Sequence, residues 1–195
     1  MFRDFKELLS AFNAQRVKYL IVGGYAVSFH AQPRATKDLD VLISADAANS
    51  RAVYAALAQF GAPLEGLSAQ DFMEVGSFFR MGTPPVMVDI FPSISGVDFE
   101  GAWQRRVDVA IDDELTAPFI SRQDLLAAKI SAGRPQDLAD VAALHEAEKH
   151  REDAQQQSLA TRSEVDETKK RGQEEWLKKE AAKGSEKGLD EDLES

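Results

Sequence analysis

Residues 21–43 read IVGGYAVSFHAQPRATKDLDVLI. An apolar run ends in Gly23-Gly24, a short apolar segment and a basic loop follow, and Asp38-Leu39-Asp40 heads a second apolar run. In an extended chain, residues two apart share a face, so Asp38 and Asp40 project together while Leu39 and Val41 point the other way. Two like charges that close repel, and one is pushed toward protonation unless a cation sits between them. Magnesium resolves that conflict, because it takes oxygen ligands and commonly uses one or two carboxylates plus substrate phosphates. A third acid, Asp89, lies in the middle of the apolar run VMVDIF. An ionised side chain there is costly without a partner or a metal. Arg80 and Arg34 are the alternative partners, in a partly buried ion pair.

The glycines supply the other half of the pattern. Gly23 and Gly24 close one apolar run and open the next, so backbone N–H groups can face outward without side-chain obstruction. A helix start of bare glycine is a natural cradle for phosphate. Arg34 and Lys37, just ahead of Asp38, are placed to touch phosphate oxygens as well.

Working outward from this stretch, VKYLIV (17–22) and LDVLIS (39–44) are strand candidates, with GYAVSFHA (24–31) a short helix between them. ADAANSRAVYAALAQF (45–60) reads as a helix, with Ser44 a candidate cap and Gly61 after its end. SFFRM (77–81) and VMVDIF (86–91) flank GTPP as a strand–turn–strand pair. VDVAI (107–111) and APFI (117–120) are expected as short edge strands. SRQDLLAAKISA (121–132) begins close to a capping-box pattern, and PQDLADVAALHEAEKH (135–150) begins with the proline that suits a first helical turn. At the other end Phe2, Phe5, Leu8, Leu9 and Phe12 recur at helical spacing.

The 195 residues suffice for one domain with a proper core, assigned to residues 1–150. From Arg151 the apolar content collapses, so residues 151–195 are expected as a charged tail, disordered or a solvated, fraying helix. From His145 onward there are 15 acidic and 10 basic residues, half of the net charge of −10. That charge argues against holding nucleic acid by general attraction but leaves room for a local patch or a metal–nucleotide substrate. No run is long and apolar enough to span a membrane, and the charged start MFRDFKELLSAF is unlike a secretory signal. The absence of cysteine removes disulfides and thiolate metal sites, and a cytoplasmic address is expected. His30 and His145 stand alone and far apart, unlike zinc ligands.

The sequence resembles the DNA polymerase beta-like nucleotidyltransferase superfamily over about residues 15–145. The family's signature is a Gly-Gly or Gly-Ser at a strand-to-helix turn, then Asp-x-Asp or Asp-x-Glu, then a third acid on a later strand. Gly23-Gly24, Asp38-x-Asp40 and Asp89 match it. LLAAKISAGRPQDLADVAAL (125–144) is also similar to the Lys…Arg-x-x-Asp-x-x-Asp stretch of small bacterial members of the AbiEii/AbiGii toxin type. That likeness implies that Lys129 helps hold nucleotide phosphates and that Asp137 contributes to the site. Read from the residues alone, Lys129 is equally a solvated helical lysine, and Asp137 and Asp140 equally stabilise a helix start. The chain is shorter than full toxins of that kind, which carry a larger C-terminal helical region.

The resemblance implies an α+β fold, a minimal nucleotidyltransferase domain with a small mixed β-sheet, helices packed mainly on one face, and the charged C-terminal tail. It also implies a magnesium-dependent enzyme with two ions held by Asp38, Asp40 and Asp89. The reaction would move a nucleoside monophosphate from ATP or another nucleoside triphosphate to a hydroxyl of RNA, a protein or a small molecule. A catalytically weak nucleotide-binding or regulatory module, for instance in a toxin–antitoxin pair with a cognate antitoxin, is the alternative. A metal-dependent phosphohydrolase uses similar ligands but explains the glycine turn less well.

Overall fold

The computed structural model describes residues 1–33 and 35–190. The chain divides into two compact units, Met1–Glu148 and Lys149–Ser195.

The first unit is built on a six-stranded mixed sheet, and its centre is the quoted stretch. β1 (Tyr19–Ile21) and β2 (Leu39–Ile43) pair antiparallel, joined by α2 (Gly23–His30) and the basic loop. β3 (Phe79–Thr83) and β4 (Val86–Phe91) form an antiparallel hairpin, and β4 lies parallel to β2. β5 (Val107–Ala110) and β6 (Thr116–Phe119) pair antiparallel, and β6 meets β1 in parallel at Ile21 and Phe119. The strand order is β3-β4-β2-β1-β6-β5. The α+β class and mixed sheet expected from the sequence are both present. The expectation that both short strands lie at edges holds for β5 alone, because β6 is interior between β1 and β5.

α1 (Arg3–Ala14) buries Phe5, Leu8, Leu9 and Phe12, the expected apolar stripe, while Phe2 remains exposed at its start. It packs on α3 (Ala47–Phe60). The cap of α3 is Asp46 rather than Ser44: the Asp46 carboxylate accepts from the N–H groups of Ala48 and Asn49, and the Ser44 hydroxyl donates to it. Two side-chain acceptor bonds at once satisfy backbone donors that every helix start leaves over. A 3-10 turn at Ala69–Met73 and the short α4 (Phe99–Gln104) link the remaining strands.

α2 packs against β2 and against α5 (Arg122–Ala132). Ser121 caps α5 by accepting from the Asp124 N–H, and Gly133 ends it with a left-handed φ of 62°. The next helix, α6, runs Pro135–Asp190, and its residues through Glu148 belong to the first unit. In the second unit the described side chains from Arg151 to Lys178 are exposed. No helix among the described residues is long and apolar enough to cross a membrane.

Candidate active site

The β2–β4 pairing brings the acids together. Asp40 and Asp89 are register partners on parallel strands, so their side chains leave the same face of the sheet at the same level. Leu39 and Val88, also partners, turn the other way and are buried. Arg80 on β3 is the antiparallel partner of Asp89. Three adjacent strands therefore carry Arg80, Asp89 and Asp40 in one row. Asp38, one step before β2, accepts a hydrogen bond from the Met87 N–H at 3.1 Å, which ties the strand entrance to β4.

This row floors a cavity of about 770 Å³. Gly23, Gly24, Asp38, Asp40 and Asp89 line it, as do Lys129 and Asp137. Seven of the nine residues expected at the site are thus brought together. Lys37 is exposed and is not among the lining residues, and Arg34 lies outside the described residues. The sequence reading missed Ser93 and Ser95 in the loop after β4, which add hydroxyls to the wall, and Phe78 beside Arg80.

The glycine turn holds the acid directly. Gly23 has a φ of 58°, in the left-handed region, and a Cβ added to it would overlap the Asp40 carboxylate. Only glycine admits that carboxylate to the start of α2. The Gly24 N–H donates to Asp40. Even so, burial and the nearby charge of Asp89 push the Asp40 carboxyl above the usual carboxylate range; the Gly24 hydrogen bond and the charge of Lys129 offset only part of this.

Asp89 is compensated differently. The Arg80 guanidinium donates from Nε to Oδ1 and from Nη2 to Oδ2, each at 2.6 Å. Of the two arginines weighed as its partner, Arg80 is the one that pairs with Asp89. Lys129 and Asp137 also meet at close range: Lys129 Nζ lies 2.8 Å from Asp137 Oδ1 and 2.9 Å from Asp140 Oδ2. Arg134 Nε adds a contact of 2.6 Å to Asp137 Oδ2. Burial would raise the Asp137 carboxyl, but the hydrogen bonds from Arg134 and Lys129 outweigh it and hold the group at about 2. Lys129 is accordingly not a solvated lysine; it is buried between two acids. His30, buried, has its Nε2 2.7 Å from the Ile120 carbonyl oxygen, a structural contact.

The sequence model of a family described as nucleotidyltransferase of unknown function, DUF6036, matches residues 1–150. The chain belongs to this family. A solved structure, that of an antigenic nucleotidyltransferase-like protein from Paracoccidioides brasiliensis, is 21% identical, with a TM-score of 0.43 over 70% of this chain and 71% of that one. No curated protein matches the chain.

In this nucleotidyltransferase-family domain, the donor chemistry suits a hard divalent cation. Asp38 and Asp40 bring carboxylate oxygens to the cavity, and Asp40 sits in an excess of negative charge that a cation would relieve. Among the described residues, no three carboxylate or imidazole side chains form a closed metal cage as they stand. Both oxygens of Asp89 are engaged by Arg80.

Proposed function

We propose that the protein transfers a nucleoside monophosphate from a nucleoside triphosphate to a hydroxyl acceptor, with Asp38, Asp40 and Asp89 as the catalytic carboxylates. The observation that carries this reading is the shared level of Asp40 and Asp89 on parallel strands, beside a glycine turn moulded to Asp40. Two acids set side by side with one left poorly compensated cost the fold stability, and function accounts for that cost. Asp38 and Asp40, joined by Asp89, would hold magnesium, two ions in the full arrangement. Magnesium bound there supplies charge neutralisation for the triphosphate and lowers the pKa of an attacking hydroxyl.

The chain's own groups do the rest. Backbone of the Gly23-Gly24 turn other than the Gly24 N–H held by Asp40, with Arg34 and Lys37 from the loop, receives the triphosphate. Asp89 takes the proton of the acceptor hydroxyl. The acceptor oxygen then bonds to the α-phosphorus in line with the departing bridge oxygen, and pyrophosphate leaves. Lys129 and Asp137, paired in the cavity lining, hold each other in place, with Lys129 offering its remaining field to the phosphates. Such a reaction belongs to the cytoplasm, where triphosphates and magnesium are abundant.

The engaged state of Asp89 favours a second reading, in which the domain binds nucleotide with weak catalysis as a regulatory module. A toxin–antitoxin pair of the AbiEii/AbiGii kind, with a cognate antitoxin, is the setting that the α5–α6 sequence stretch suggests. Incubation of the pure protein with α-labelled triphosphates, magnesium and total cellular RNA or protein separates the cases. Label on a macromolecule supports transfer, and labelled nucleoside mono- or diphosphate with no labelled macromolecule indicates hydrolysis instead. Nucleotide binding with neither product supports the regulatory module.

A further inference from the structure

Arg80 reaches the acidic cavity from the edge strand β3, yet the reaction above gives it no task. Its two donors occupy both oxygens of Asp89, the one carboxylate of the row that is almost fully buried. The Arg80 side chain is 53% exposed, against 7% for Asp89. Of the two partners, the acid is fixed by the sheet and the guanidinium is free to leave. Phe78 on the same edge lies against the guanidinium while it holds Asp89, with the guanidinium carbon 5.4 Å from the ring centroid. Phosphate oxygens accept the same planar fork as a carboxylate does. A divalent cation, conversely, is repelled by a guanidinium seated on its ligand.

We propose that Arg80 is a triphosphate-binding residue held in reserve on Asp89: its guanidinium exchanges the carboxylate for substrate phosphate, and the exchange opens Asp89 to the cation. This rests on the metal–nucleotide reading of the site. It couples loading of the substrate to completion of the carboxylate set, so the cation is held fully only when a triphosphate is present. Arg80 acts on cation affinity by occupying a ligand and on nucleotide affinity by direct contact, so its removal moves the two in opposite directions.

The test measures Mn2+ binding by electron paramagnetic resonance in nucleotide-free wild-type, Arg80→Gln and Arg80→Lys proteins. A second titration uses an α,β-methylene nucleoside triphosphate at saturating Mn2+, and thermal melts check that both variants fold. Arg80→Gln is expected to bind Mn2+ roughly tenfold more tightly and the analogue roughly tenfold more weakly, the scale of a charged hydrogen-bonded contact. Arg80→Lys keeps the charge but loses the fork, so it falls between wild type and Arg80→Gln in both titrations, and it carries the test if the glutamine variant unfolds. Mn2+ affinity that is unchanged or weaker in the variants overturns the inference, as does unchanged analogue affinity. A wild-type protein that takes up neither Mn2+ nor the analogue overturns the nucleotide-site reading itself, and this inference with it.

Discussion

Asp40 is where folding and chemistry pull in opposite directions. Its carboxyl is raised by burial and by Asp89, so the folded state holds its proton more tightly than the unfolded chain does. Folding therefore loses stability as pH rises from the ordinary carboxylate range through the raised value, and the ionised form carries the penalty at neutral pH. Asp40→Asn removes that penalty while leaving an oxygen for the Gly24 N–H. Nucleotide transfer is expected to vanish with an unchanged or higher melting temperature; a variant that fails to fold would assign Asp40 a structural role. Gly23→Ala should act the other way, losing about 1–3 kcal/mol by denaturant titration because alanine must take a left-handed φ and displace the carboxylate. The acids of this site were legible in the sequence because Asp-x-Asp and a lone Asp in an apolar run each demand an explanation. The pairing of Asp89 with Arg80 was legible only as one of two options. It depends on the β3–β4 register, and a one-residue slip across the two-residue Pro84-Pro85 turn would place Arg80 on the opposite face.

Among the elements, the α5–α6 joint shows most plainly how a motif can serve the fold. Lys129 from α5 is enclosed by Asp137 and Asp140 from α6, with side-chain exposures of 9%, 1% and 3%. Removing one member of such a buried set strands the others, which costs about 3–5 kcal/mol. Asp137→Ala should therefore lower stability by that amount in chemical denaturation, and a loss under 1 kcal/mol would mean the joint is not held by these charges. The pH dependence has a definite sign. With the Asp137 carboxyl depressed from 3.8 to about 2, its contribution is complete above the unfolded value and is lost as pH falls toward 2. Wild-type stability should drop across that window, and Asp137→Asn should flatten the drop. Local sequence named the three residues but not their mutual burial, because each reads equally well as a solvated or helix-start charge. β6 shows the same limit. Pro118 marks an edge strand by the usual rule, but β6 meets β1 at Phe119, one residue past the proline, and its partner lies almost a hundred residues earlier in the chain, beyond any local pattern.

For the molecule as a whole, the family match ends at residue 150 and the first compact unit at Glu148. Every lining residue of the acidic cavity belongs to that unit. A chain truncated after residue 150 should unfold in one cooperative transition and keep its triphosphate affinity within about twofold of full length, well under the tenfold that 1.4 kcal/mol represents. Loss of binding on truncation would assign the charged C-terminal helix a part in the site. The central claim, that Asp38, Asp40 and Asp89 build a cation–nucleotide site at the glycine turn, is met most directly by calorimetry. Each magnesium nucleoside triphosphate is titrated into wild-type, Asp38→Asn and Asp40→Asn proteins. Saturable heat with at least one triphosphate in the wild type, absent from both folded variants, is the predicted result. Equal heats in all three proteins, or none with any triphosphate, would contradict it.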